Sequence, residues 1–112
     1  MSENIISKAE FVKHPKEDGV FMKHFFSSAD NDRLNNLEVK IEKGSQISPH
    51  VHENSSEFYY VLSGIGEFLI DGKWISIKQG DALKAPMGME HGLKNTGDDL
   101  LCVFSTFSPA TR

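Results

Sequence analysis

The sequence predicts an all-β protein whose strands form one sandwich or barrel. From residue 20 onward, short apolar or alternating segments are interrupted by Gly, Asn, Asp and Pro at intervals of about eight to twelve residues, a spacing typical of sandwiches and barrels. No segment shows a convincing helical pattern, and 112 residues correspond to one domain. We expect residues 20–112 to form that β domain. Residues 1–19 are mostly polar and are expected to form an N-terminal arm or an edge strand.

The predicted strands follow one another with turn-forming residues between them. The clearest turn is Asp71-Gly72, because a two-residue Asp-Gly loop between apolar segments favours a type I′ hairpin. Further turns are predicted around Gly64, Gly80 and residues 95–99. In chain order the predicted strands are residues 20–26, 37–42, 57–62, 67–70, 73–77, 82–85, 91–94 and 100–107.

Composition excludes several classes of function. The apolar runs are too short to cross a bilayer, and the first residues lack the basic and apolar regions of a secretory signal. We therefore expect a cytoplasmic protein with no membrane partner. The net charge of -4 and the absence of a basic block argue against a nucleic-acid partner. The single cysteine, Cys102, lies in an apolar segment and is predicted to be a small core residue.

Two histidines form a pattern that suits a metal site. His50 and His52 are separated by one residue, so on a β-strand both imidazoles would project from the same face and share one ion. Glu57 begins the next apolar segment, and His91 follows a Pro-Met-Gly turn. Three imidazole nitrogens and one carboxylate oxygen suit a divalent transition metal, namely Fe, Mn, Ni, Zn, Co or Cu. We expect one such ion per chain.

These residues resemble the two sequence motifs of the cupin superfamily, and both motifs fit without a gap. The resemblance implies a small single-domain cupin over residues 20–112, folded as a double-stranded β-helix or jelly-roll barrel. It also implies that His50, His52, Glu57 and His91 are the metal ligands. The motif positions are Gly44, His50, His52, Glu57 and Gly64 in the first motif, and Gly80, Pro86, Gly88, His91 and Asn95 in the second.

The strand that begins at Glu57 is predicted to supply one further site residue. If Glu57 points into the barrel, Tyr59 and Val61 share its face because side chains alternate along a strand. Tyr59 is therefore our candidate for a catalytic or substrate-facing hydroxyl. The alternative is a core tyrosine whose hydroxyl is hydrogen-bonded within the protein.

The opposite face of the same strand is predicted to be an interaction surface. Phe58, Tyr60 and Leu62 would point outward, and an apolar face of this kind needs a cover. Either the N-terminal segment or a second subunit can provide it. We predict a homodimer, which is common among cupins, with these three side chains near the contact.

The scarcity of arginine bears on the ligand. The two arginines are Arg33, in a predicted loop, and Arg112, at the end of the sequence. Because planar recognition of carboxylate or phosphate normally uses arginine, we expect a small ligand that is neutral or weakly charged. His14 and His24 lie outside both motifs and are predicted to be ordinary surface or hydrogen-bonded residues.

Two functions are compatible with these features. The first is a metal-dependent enzyme acting on a small molecule, of the dioxygenase, isomerase or lyase type, depending on the metal. The second is a non-enzymatic module that binds a metal or a small ligand. The fold cannot choose between them, because function depends on the site.

Overall fold

Two antiparallel β-sheets enclose the core in the computed structural model, which describes residues 4–6 and 8–112. One sheet has the strand order β1-β2-β3-β10-β5-β8 and the other has the order β4-β9-β6-β7. No helix in the described part of the chain is long and apolar enough to cross a membrane. The strands are β1 (Val12–Lys13), β2 (Val20–Phe26), β3 (Asn35–Ile41), β4 (Gln46–His50), β5 (Ser56–Ser63), β6 (Ile65–Ile70), β7 (Lys73–Lys78), β8 (Ala82–Ala85), β9 (His91–Asn95) and β10 (Leu101–Ser108).

The eight predicted strands are confirmed, with ends that differ by at most two residues. The type I′ turn between β6 and β7 is also confirmed, because Asp71 and Gly72 have φ values of 52° and 74°. Two strands, β1 and β4, are absent from the eight predicted ranges. β1 has only two residues, and β4 is largely polar and contains Pro49, so neither shows the alternation that marks a strand.

Part of the predicted N-terminal arm is an edge strand. Val12 and Lys13 pair with Met22 and Phe21 of β2, at the outer edge of the larger sheet. The boundary that we placed between residues 19 and 20 stays a prediction.

The interior changes from apolar to polar along the barrel. At one end, β3 and β10 place Ile41 opposite Leu101, and both side chains are fully buried. At the other end, Phe107 of β10 lies between Asn35 of β3 and Glu57 of β5. The buried apolar residues therefore hold the sheets together, and the polar end is left to form a site. Cys102 is buried, as predicted.

Asn95 ends β9 and organises the turn that leads to β10. Its side-chain amide donates to the carbonyls of Ile41 (2.9 Å) and Asp99 (2.8 Å), and its Oδ1 accepts from the Gly97 backbone N–H (2.9 Å). This motif residue therefore satisfies backbone groups of the turn.

The predicted alternation of β5 is confirmed. Phe58, Tyr60 and Leu62 are 39–43% exposed, whereas Tyr59 and Val61 between them are at most 1% exposed. The larger sheet thus carries three neighbouring apolar side chains on its outer face. That a second copy of the chain covers them stays a prediction.

We expect the protein to sediment as a homodimer at equilibrium. Replacing Tyr60 with Lys is expected to shift the mass toward the monomer, because a charge in a packed apolar contact loses its hydration. Ile75→Lys is the control, since Ile75 is similarly exposed (48%) but lies on the smaller sheet. A monomer for the unmodified chain, or equal effects of the two substitutions, would contradict the prediction.

Candidate metal centre

Four side chains from separate parts of the chain converge at the polar end of the barrel. His50 ends β4, His52 follows it, Glu57 lies near the start of β5, and His91 begins β9. The candidate ligand atoms of these residues all lie within 4.8 Å of one another. The structure therefore brings together the four residues that the sequence predicted as ligands.

The geometry of the His50–His52 pair differs from the prediction. From the sequence we considered both histidines on one strand, whereas β4 ends at His50 and His52 lies beyond it. The pairing of β4 with β9 becomes irregular between Ile47 and His50, and the carbonyl of His52 accepts from the Gly88 backbone N–H (2.9 Å). The two rings nevertheless meet, with 3.1 Å between their Nε2 atoms.

Backbone carbonyls orient two of the rings. Nδ1 of His50 lies 2.8 Å from the carbonyl oxygen of Ser48, and Nδ1 of His91 lies 3.0 Å from that of Met89. A carbonyl only accepts, so each Nδ1 carries the proton. In the neutral rings Nε2 is then an unprotonated acceptor directed at the cluster, which is the arrangement that metal-binding histidines require.

Glu57 connects the cluster to the rest of the barrel. It is 6% exposed, its Oε1 lies 3.0 Å from Nε2 of His91, and it lies 3.6 Å from Nε2 of His52. Its Oε2 accepts a short hydrogen bond from the hydroxyl of Ser105. Sequence reasoning missed Ser105, although a polar residue at an inward position of the apolar strand β10 was a usable signal.

The protonation of the cluster follows from these contacts. Burial lowers the pKa of His52 by disfavouring the charged ring, and the nearby His50 and His91 add to this effect against the opposing charge of Glu57. Burial also acts to lower the pKa of His91. The hydrogen bonds to Glu57 and to the Met89 carbonyl outweigh it, so the pKa of His91 is raised.

Tyr59 lies beneath the cluster and is fully buried. Burial, the charge of Glu57 and a hydrogen bond to Glu57 raise the pKa of Tyr59 well above its ordinary value of 10.0. Its hydroxyl therefore stays protonated. Tyr59 also lines the adjoining cavity, and its role as a catalytic residue stays a prediction.

A cavity of about 270 Å³ adjoins the cluster and is lined in part by His50 and Glu57. Its volume fits a molecule smaller than a typical drug, for which pockets start at about 300 Å³. Met22, Leu37 and Val39 contribute apolar walls.

Three residues that we placed outside the site also line this cavity. They are His14, His24 and Arg112. The arginine guanidinium lies 3.2 Å from Nε2 of His24. We expected a neutral or weakly charged ligand because arginine is scarce. We thereby assumed that neither arginine lies near the ligand, and this assumption is wrong. The segment after β10 folds back to the cavity and places Arg112 in its wall. The sequence contained a signal for His24, because side chains alternate along β2 and His24 shares the inward face with Val20 and Met22.

The donor set fits a divalent cation. The Nε2 atoms of neutral His50 and His91 are acceptors, and the Glu57 carboxylate is an acceptor as well. Acceptors at these short separations repel one another unless a proton or a cation lies among them. Imidazole nitrogens with one carboxylate suit transition metals.

A family model and curated proteins match this chain. A family model described as "Cupin domain" matches residues 37–107. An oxalate-binding protein from Thermotoga maritima is 40% identical over 60 residues, which cover 54% of this chain and 50% of that protein. The chain thus aligns with half of the length of this curated relative.

Solved structures resemble the whole fold. A crystal structure described as a predicted oxalate decarboxylase from Thermotoga maritima superposes with a TM-score of 0.79 at 30% identity, covering 90% of this chain and 91% of that one. The structure of KdgF from Halomonas sp. gives a TM-score of 0.81 at 28% identity, covering 94% and 90% of the two chains.

The pKa of Tyr59 generates a spectroscopic prediction. Because its raised pKa keeps the phenol protonated, Tyr59 is expected to contribute no phenolate absorbance at pH 10, where an ordinary tyrosine is half ionised. The measurement compares near-ultraviolet titrations of the unmodified chain and Tyr59→Phe, with circular dichroism confirming that both stay folded. A phenolate signal near pH 10 that is lost in the variant would contradict the prediction.

Proposed function

The chain belongs to the cupin family, and from this premise we propose that it is a metal-dependent enzyme acting on a small molecule. The ligands to one divalent transition metal ion are His50, His52, Glu57 and His91. The observation that carries the proposal is the convergence of acceptor atoms within 4.8 Å, with two ring orientations set by backbone carbonyls. The small molecule occupies the cavity beside these ligands.

A bound divalent ion supplies Lewis-acid chemistry, or oxygen chemistry if the metal is redox-active, at a position next to the cavity. The protein holds the ligands in place for this chemistry. Ser105 donates to Glu57 and fixes its carboxylate. Phe107 packs against the ring of His52 with 4.8 Å between the ring centroids, which excludes water from that side. Dioxygenase, isomerase and lyase reactions are all compatible with such a site.

The likeness to a protein described as a predicted oxalate decarboxylase supports the lyase type. The likeness to an oxalate-binding protein supports the second candidate, a cupin that binds a small ligand without turnover. Turnover by the metal-loaded chain separates the two candidates. The homodimer, the cytoplasmic location and the absence of a nucleic-acid partner belong to this proposal as well.

Elemental analysis of the purified protein tests the metal centre directly. We expect about one transition-metal ion per chain and a loss of affinity greater than 100-fold in His91→Ala. Loss of a metal ligand is expected to reduce metal affinity more than loss of a residue that only orients a ligand, which typically reduces it about 10- to 100-fold. His24→Ala is the control, because this histidine lies outside the cluster. If the unmodified chain binds no ion even after reloading with divalent metals, the proposal is wrong.

Metal retention is expected to fall with pH. Protons compete with the metal for imidazole nitrogens. Because the pKa of His91 in the metal-free chain is raised above the ordinary 6.5, the competition begins above that pH and strengthens as the pH falls through it. Equilibrium dialysis from pH 8 to pH 4 followed by elemental analysis measures this. Full retention at pH 4 would contradict a three-histidine site.

A further inference from the structure

The cavity contains a buried hydrogen-bond donor that has no partner. Asn35 is 1% exposed, and its Oδ1 accepts from the backbone N–H of Thr111 (2.7 Å) and from the Thr111 hydroxyl (3.1 Å). The backbone N–H can only donate, so Oδ1 must face it and the amide orientation is determined. Nδ2 is then left without a hydrogen-bond partner among the described residues. Buried donors are rarely left unpaired, so this atom calls for an acceptor.

Asn35 lies in the cavity wall, on the same face of its strand as the apolar lining. Asn35 shares the inward face of β3 with Leu37 and Val39, and all three line the cavity. Phe107 pairs with Asn35 on one side and with Glu57 on the other. Asn35 and the candidate metal ligand Glu57 therefore lie two strand spacings apart, and their backbones are separated by roughly 10 Å. A small molecule lying across Phe107 can reach both.

Arg112 brings a positive charge to the same cavity. Its guanidinium donates to Nε2 of His24 at 3.2 Å, because arginine has donors only and the ring must accept. The guanidinium has five N–H donors, so this contact leaves others for a ligand. The acidic residue in the cavity wall is Glu57, which already accepts from Ser105 and belongs to the metal cluster.

We propose that the end of the cavity formed by Asn35 and Arg112 binds a carboxylate group of the ligand. One oxygen accepts from Nδ2 of Asn35, and the guanidinium of Arg112 balances the charge. The rest of the ligand extends toward His50 and Glu57, so this inference rests on the function proposed above. A planar carboxylate with one negative charge matches one amide donor and one guanidinium, whereas a phosphate group has three acceptor oxygens and up to two negative charges to satisfy. The ligand is accordingly a small carboxylic acid anchored away from the metal.

We call the carboxylate site formed by Asn35 and Arg112 the anchor. Calorimetric titration with succinate tests it on two forms of the chain, metal-loaded and chelator-treated. We expect Arg112→Gln to weaken succinate binding about 10-fold and Asn35→Asp to weaken it about 30-fold or more. The aspartate keeps the acceptor for Thr111 and replaces the unpaired donor with a carboxylate oxygen, whose negative charge also repels the carboxylate of succinate. Arg33→Gln removes the same charge from an exposed loop and is expected to bind succinate like the unmodified chain.

The outcomes separate the anchor from the metal centre, because metal content is measured on every preparation. Variants that retain metal and lose succinate affinity support the anchor. If the unmodified chain lacks metal but still binds succinate through Arg112, the proposed function fails and the anchor stands. No succinate binding at millimolar concentration, equal binding by Arg112→Gln and Arg33→Gln, or tighter binding of inorganic phosphate or of neutral succinamide overturns the anchor.

Discussion

The polar end of this barrel is organised around one buried carboxylate. A carboxylate that is 6% exposed loses most of its hydration and must be compensated by donors or by positive charge. Glu57, on β5, has such partners on two other strands: Ser105 on β10 donates to it, and His91 on β9 lies beside it. Since β9 belongs to the smaller sheet and the other two strands to the larger one, the same contacts join the two sheets at the site.

The apolar end of the barrel makes this arrangement possible. Pairs such as Ile41 and Leu101 are removed from water and stabilise the fold by about 1.5–3 kcal/mol for each fully buried side chain. The register that aligns them also determines what lies further along the same strands, because side chains repeat every second residue. On β10 that repeat runs through Val103 and Ser105 to Phe107, from the core into the site.

Most of the fold was predictable because its signals are local. Alternation and turn residues are read over a few neighbouring positions, so the strands and the Asp71-Gly72 hairpin were found from the sequence. β4 was not among the predicted strands because its own residues lack the pattern of a strand. Its conformation depends on pairing with β9. The position of His52 beyond the end of β4 has a similar cause, because its carbonyl accepts a hydrogen bond from Gly88, which is far along the chain.

The sequence by itself determined the identity of the candidate ligands, because residues of metal-binding type occur in it at the spacing of the two motifs. It also determined the inward and outward faces of β5, since alternation depends only on neighbouring residues. Only the tertiary structure decided that Ser105 supports Glu57 and that Asn35 and Arg112 share the cavity with the histidines. Those neighbours are brought together by pairing between strands distant in the chain, and no local pattern encodes which distant residues will meet.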